Sequence, residues 1–244
     1  FVTHFGPIET PASDHPVQVL IVFGSDHGLC GNYNEALADH VAGHLPQSED
    51  GPPTVLCVGA QMADALTDQH IAIEETFFPA ASVDGVGCLA NLLTQRLETI
   101  RTRAEPQDLA VSLAYVARDG AAGQRALIVP LLPLEQAVLD DLAAKPWKSR
   151  SRPYFSMPAN DLFRALVRNH LFATLFRAIA EALMTENAAR LALMQQAERS
   201  VDEKLEELAS ETRTVRQDQI TTELLDVIIG FEALKKGKGD PPED

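Results

Sequence analysis

Between Pro158 and Pro241 the chain contains no proline, and Gly230 is the only glycine before Leu234. About 70 residues of strong helix formers therefore run without a breaker, and as one helix they would reach roughly 105 Å. An ordinary globular helix has about 11 residues. Such a rod has to find cover for any apolar face it carries. Met194, Val201, Leu208 and Val215 repeat by heptads, and Leu191, Leu205, Thr212 and Gln219 lie on the interleaved row. This is an a/d seam of the coiled-coil kind, with Glu198, Arg199, Asp202, Glu203, Lys204, Glu206 and Glu207 filling the other faces. A five-stranded sheet spans only about 25 Å across its strands. Packing on a domain of the same chain would leave most of the seam bare, so a partner helix is expected.

The preceding residues have a different character. "VQVLIVF" from Val17 and "TVLCVG" from Thr54 are continuous apolar runs suited to strands buried on both faces, and each leads into a helical pattern. "HIAIEETF", His70 to Phe77, alternates with period two. A helix fits Val86 to Arg103 with Leu89, Leu92, Leu93 and Leu97 on one face, and strands fit Leu109 to Val116 and Arg125 to Leu134. Strands separated by helices imply right-handed crossovers and a mostly parallel sheet. The expected fold is α/β: a small, mostly parallel sheet domain with flanking helices, plus a long C-terminal coiled-coil helix. Four parts follow: an N-terminal remnant or linker (1–16), the α/β domain (17–150), the long helix (151–234) and a disordered tail (235–244). "KPWKSRSR", Lys145 to Arg152, is a basic cluster in an acidic chain, read as a solvated linker or as a patch for an acidic partner.

The net charge of −15 excludes nucleic acid as a general partner, since a phosphate backbone demands a surplus of Lys and Arg. No apolar run is long enough to span a membrane. Cys30, Cys57 and Cys88 are odd in number and contain no C-x-x-C pair, which fits reduced thiols in the cytosol better than a disulfide framework or a zinc site. No H-E-x-x-H and no His pair at metal-ligand spacing is read in the sequence. Neither a metal nor a cofactor is expected.

The glycine-rich turn "GSDHGLCGNYN", from Gly24 on, invites a chemical reading. A phosphate loop needs G-x-x-x-x-G-K-[ST], and no Lys is near; the glycines at 24, 28 and 31 also miss the G-x-G-x-x-G spacing. An anion at the following helix N-terminus stays open. Ser25, Asp26 and His27 name a hydrolase triad, yet adjacent residues cannot converge as one. Cys30 has no specific base set to activate it, and a buried small hydrophobe describes it better. Gly24, Gly28 and Gly31 are read as a structural turn. Two further hypotheses compete: a flavodoxin-like domain binding a small ligand near Gly24 to Gly31, and a cysteine hydrolase using Cys30.

Three stretches agree on one family. "GSDHGLCGNYN" resembles the S-D-R-G-L-C-G-G-x-N signature of the gamma subunit of F-type ATP synthases. "ENAARLALMQQA" is similar to its E-Q-A-A-R-M-x-A-M segment, and "RQDQITTELLDVIIGFEAL" to its closing R-Q-x-x-I-T-x-E-L-x-E-I-x-x-G-A-x-A-L. The resemblance covers residues 17 to 234. It implies a non-catalytic central stalk, with an antiparallel coiled coil inside a ring of alternating alpha and beta subunits and an α/β domain resting on the membrane c-ring beside the epsilon subunit. By the same resemblance Arg216, Gln217, Thr221 and Glu223 contact a beta subunit. The location implied is peripheral, on the cytoplasmic face of the bacterial inner membrane. His27 stands for the usual Arg and Asn32 for a glycine, and "FGSDHGLCG" is closer to the sodium-type F-ATPases of some bacteria. The family's N-terminal helix has no counterpart after Phe1, so about 60–70 residues of heptad-patterned helix are expected ahead of it.

Overall fold

The computed structural model describes residues 16–45, 51–104, 108–120, 123–134, 140–141, 144–146, 150–151 and 154–236. In chain order the elements are β1 (Val17–Phe23), α1 (Tyr33–His44), β2 (Thr54–Val58), α2 (Ala60–Asp68), β3 (Glu75–Phe77), α3 (Val83–Ala104), β4 (Leu109–Asp119), β5 (Gly123–Leu132) and α4 (Ala159–Lys236). The chain forms two units, residues 1–193 and 194–244.

In the first unit the strands order as β3-β2-β1-β4-β5. β1 pairs in parallel with β2 and with β4, β2 pairs in parallel with β3, and β5 closes the sheet as an antiparallel hairpin partner of β4. This topology decides where the helices fall. From β1 to β3 the chain advances in one direction, so right-handed crossovers put α1 and α2 on one face. The return from β3 to β4 runs the other way and puts α3 on the opposite face. β1 serves both faces by alternation: Val19, Ile21 and Phe23 join the core under α3, while Leu20 and Val22 join the core under α1 and α2. That double burial is why "VQVLIVF" reads as an unbroken apolar run.

Two details depart from the sequence reading. The strand expected over His70–Phe77 pairs only at Glu75–Phe77. His70 takes a left-handed turn (φ 59°) and the Ile71 amide bonds back to Leu66, so Ile71 is buried as the cover of α2 rather than as a sheet residue. Leu92, expected on the apolar face of α3, is 49% exposed, whereas Leu89, Leu93 and Leu97 are buried. The stripe has the steps of four along one helical ridge, and Leu92 falls beside it.

Within the first unit, α4 lies on the α3 face of the sheet. Leu175, Ala178, Ile179 and Ala182 belong to that core, at the spacing of a helix with one buried face. In the second unit every position of α4 from Met194 to Lys235 is exposed.

Candidate functional site

The glycine turn is built inward. Gly24 donates its amide to the Val58 carbonyl as β1 ends. A side chain there would strike Met62, whose Cγ lies 2.5 Å from the ideal Cβ position, so only glycine fits between β1 and α2. Gly31 holds a left-handed φ of 67°, and Gly28 has open space around it. Ser25 is fully buried and Asn34 nearly so. The Asn34 amide and the Ser25 backbone and hydroxyl clasp each other: Ser25 N donates to Asn34 Oδ1 at 3.0 Å and Asn34 Nδ2 donates to Ser25 Oγ at 2.8 Å. Ser25 Oγ donates onward to the His27 carbonyl, and Cys30 Sγ lies against the same pair. Among the described residues no imidazole nitrogen reaches Cys30, so the contacts of a thiol nucleophile are not assembled.

Asp26 answers the anion question for the neighbouring helix. Its carboxylate accepts from the Ala60 amide at 3.1 Å, at the start of α2. The positive helix end already holds a negative group of the chain's own. Cys57, on β2, is held as a thiol: burial, with Asp64's charge second, pushes its pKa up to about 12.

Open α/β sheets bind ligands in the crevice where the strand order reverses, beyond the carboxyl ends of the strands. Here that crevice lies between β1 and β4, and the chain fills it with its own helix. Thr185 of α4, 2% exposed, donates its hydroxyl to the Val116 carbonyl on β4 at 2.8 Å. Tyr33, at the start of α1, places its hydroxyl 3.2 Å from Thr185 Oγ1 and 3.3 Å from the Ala182 carbonyl. Gln124 Nε2 of β5 donates to the Thr185 carbonyl at 2.8 Å. Burial raises the Tyr33 phenol well above its ordinary range; the Thr185 bond offsets part of this, and Glu186 and Cys30 add to the rise. Glu186 pairs with Arg190 at 2.6 Å. The space left beside it, lined by Phe23, Gly24, Val58, Ala80 and Ile179 among others, is about 10 Å³, room for one water at most. A flavin or nucleotide has no place there.

The second unit offers the opposite picture, apolar side chains in the open. Met194, Val201, Leu205, Leu208 and Val215 are each 49–59% exposed, and Leu191, in the first unit, is 57% exposed. Arg216, Gln217, Thr221 and Glu223 are exposed as well, and Thr221 Oγ1 donates to the Gln217 carbonyl within the helix. Beyond them Leu224, Leu225, Val227, Ile228, Ile229, Phe231 and Leu234 are all exposed. At 100° per residue these positions sweep roughly 220° of the helix circumference, against about 100° for a helix with one covered face. The sequence reading missed this tip because it tracked the heptad seam alone. It also missed Thr185 and Tyr33, which are 152 residues apart and carry no motif.

Part of the basic cluster, 147–149 and 152, lies outside the described residues, as do 1–15 of the N-terminal remnant and 237–244 of the tail. Contrary to the reading of the histidines, His40 and His44 do stand one turn apart on α1, with ring centroids 4.2 Å apart.

A family model described as ATP synthase matches residues 4–234. The chain belongs to the ATP synthase gamma-chain family. The ATP synthase gamma chain of Anaeromyxobacter sp. (strain Fw109-5) is 26% identical over 237 residues, covering 94% of this chain and 77% of the relative. That of Bartonella bacilliformis is 28% identical over 233 residues, covering 91% and 76%. Among solved structures, a chain of the Euglena gracilis mitochondrial ATP synthase, OSCP/F1/c-ring, in rotational state 3, shares the fold with a TM-score of 0.63 at 20% identity, covering 93% of this chain and 76% of that one. A central stalk/c-ring chain of the Tetrahymena thermophila mitochondrial enzyme gives 0.54 at 17% identity, covering 77% and 79%. A gamma chain is a non-catalytic part of the central stalk, and catalysis resides in the beta subunits of the complex. The filled crevice and the enclosed Ser25, Asn34 and Cys30 accord with that role. The central stalk of an ATP synthase is membrane-associated, and no helix among the described residues is long and apolar enough to cross a membrane.

Proposed function

We propose that this gamma chain turns inside a ring of alternating alpha and beta subunits and carries torque from a membrane c-ring, beside an epsilon subunit. The observation that carries the reading is the apolar tip of α4. An arc of roughly 220° cannot be covered by one helix, and a rod apolar over most of its circumference belongs in an enclosing sleeve. The seam at Leu191, Met194, Val201, Leu205, Leu208 and Val215 takes a partner helix. The polar band of Arg216, Gln217, Thr221 and Glu223 lies between seam and tip, where hydrogen bonds to a beta subunit would give the shaft a rotational register. In this division the α/β part, 17–150, is the foot and 151–234 the shaft, with Gly24, Gly28 and Gly31 serving the turn that closes the foot. The complex would sit on the cytoplasmic face of a bacterial inner membrane.

The mechanism needs no chemistry from this chain. An asymmetric shaft presents a different surface to each of three equivalent catalytic interfaces, and a contact biases a conformational equilibrium only by its differential affinity for the two states. Turning the shaft moves that bias from one interface to the next. The test is the Arg216→Ala/Gln217→Ala variant in the assembled complex. ATPase turnover or torque coupling should fall while the thermal unfolding of the α/β unit is unchanged. Normal coupled turnover would remove these residues from the contact.

A further inference from the structure

We propose that His40 and His44 on α1 form a two-histidine chelate for a divalent transition ion of the zinc, copper or nickel class. The stalk role proposed above assigns nothing to this pair. The two residues lie one helical turn apart, at one edge of the face of α1 that buries Leu37 and Val41, with His40 half-buried and His44 exposed. That buried face fixes the rotation of the helix, so both imidazoles lie along the same edge strip, about 40° apart round the axis at 100° per residue.

The rings are already gathered, with centroids 4.2 Å apart and planes tilted by 34°. The His44 ring has a second constraint. Its Nδ1 stands 2.8 Å from the His40 carbonyl. A carbonyl only accepts, so Nδ1 donates in this bond, and Nε2 is the nitrogen left to bind a metal. A metal-bound imidazole has this arrangement: the outer nitrogen donates to a carbonyl, which sets both tautomer and ring direction. Asp39, the adjacent carboxylate, is held by Gln69 Nε2 at 2.6 Å and is thereby drawn toward α2. The site therefore offers two imidazole nitrogens as ligands on one turn of helix, with water completing the coordination. Imidazole pairs suit Zn²⁺, Cu²⁺ and Ni²⁺ at metal–nitrogen distances of about 2.0–2.1 Å for zinc, and they do not suit Mg²⁺ or Ca²⁺. With borderline ligands and no imposed geometry, affinity should follow the general order in which Cu²⁺ exceeds Zn²⁺.

The test is calorimetric titration of the full chain with ZnCl₂ and with CuCl₂, in a Cys88→Ser background because that thiol is exposed. One saturable site is expected, tighter for copper than for zinc, with no heat from MgCl₂. His40→Gln and His44→Gln should each weaken it at least tenfold, the lower end of what even an outer partner of a metal-bound imidazole is worth. His170→Gln, a solitary exposed histidine on α4, should leave it unchanged. Imidazole nitrogen shifts in NMR should move at His44 Nε2 and not at Nδ1. Binding retained in the His40→Gln/His44→Gln double variant, or no saturable site below millimolar metal, overturns the proposal. Circular dichroism of both variants shows whether α1 persists, so that loss of fold cannot pass for loss of a ligand.

Discussion

Thr185 is where the long helix is fastened into the sheet, and its replacement by valine tests that fastening. The change keeps the shape and removes one hydroxyl. That hydroxyl gives its proton to the Val116 carbonyl at 2.8 Å and lies 3.2 Å from the Tyr33 hydroxyl. With valine in its place, the buried Val116 carbonyl loses this donor, and Tyr33 keeps only the longer contact to Ala182 at 3.3 Å. A net hydrogen bond is worth about 1 kcal/mol and an orphaned buried acceptor costs about 1–3 kcal/mol, so Thr185→Val should destabilise by about 2–3 kcal/mol. Tyr33→Phe removes a donor whose partner has another bond, and should cost about 1 kcal/mol. Because the two groups touch, the double variant should be less destabilised than the sum, with a coupling of about 0.5–1.5 kcal/mol. Urea unfolding followed by tyrosine signals reads all three as shifts of midpoint at unchanged slope. A cost below about 0.5 kcal/mol for Thr185→Val, or strict additivity, would refute the idea that this polar cluster clamps the helix.

The same geometry makes two further predictions. Gly24→Ala should destabilise by about 1–3 kcal/mol through overpacking against Met62, whose own Cβ stands against the position of the added one, whereas Gly28→Ala should stay within about 0.5 kcal/mol of the parent; thermal melts of the parent and the two variants decide this. Tyr33, whose folded pKa is raised, contributes stability that is fully present below its unfolded pKa of about 10 and is lost as pH rises through the folded value, so alkaline unfolding should become less steep in Tyr33→Phe. An unchanged pH slope in that variant would place the phenol in water.

The strands that form the centre of the sheet were legible because parallel strands buried on both faces must be apolar throughout. Val19 to Phe23 are such a run, and so is Val55 to Val58. The alternating "HIAIEETF" misled for a physical reason: alternation reports which side chains are buried, and Ile71 is buried by folding under α2 rather than by pairing. The 78-residue helix was legible from the lack of breakers. The clamp was not. Threonine and tyrosine side chains have no periodic signature, and only the closed fold brings Tyr33 to Thr185. In the same way the three glycines of the turn look equivalent in sequence, while the structure puts Met62 against one, a left-handed backbone at another and open space at the third. The apolar tip was hidden by the heptad reading itself, which assigns a seam and treats the remaining positions as solvated; Val227 and Ile229 flank the helix on nearly opposite sides and are 72% and 63% exposed.

Those two positions give the most direct test of the shaft. Val227→Cys and Ile229→Cys, each made in a Cys88→Ser background, lie about 160° apart round the helix at 100° per residue. Maleimide labelling of each thiol is measured in the free chain and in its complex with alpha and beta subunits. Both should react readily in the free chain, and both should be protected in the complex. Continued reaction of either thiol in the complex would mean that the tip has an open side and is not an axle in a sleeve.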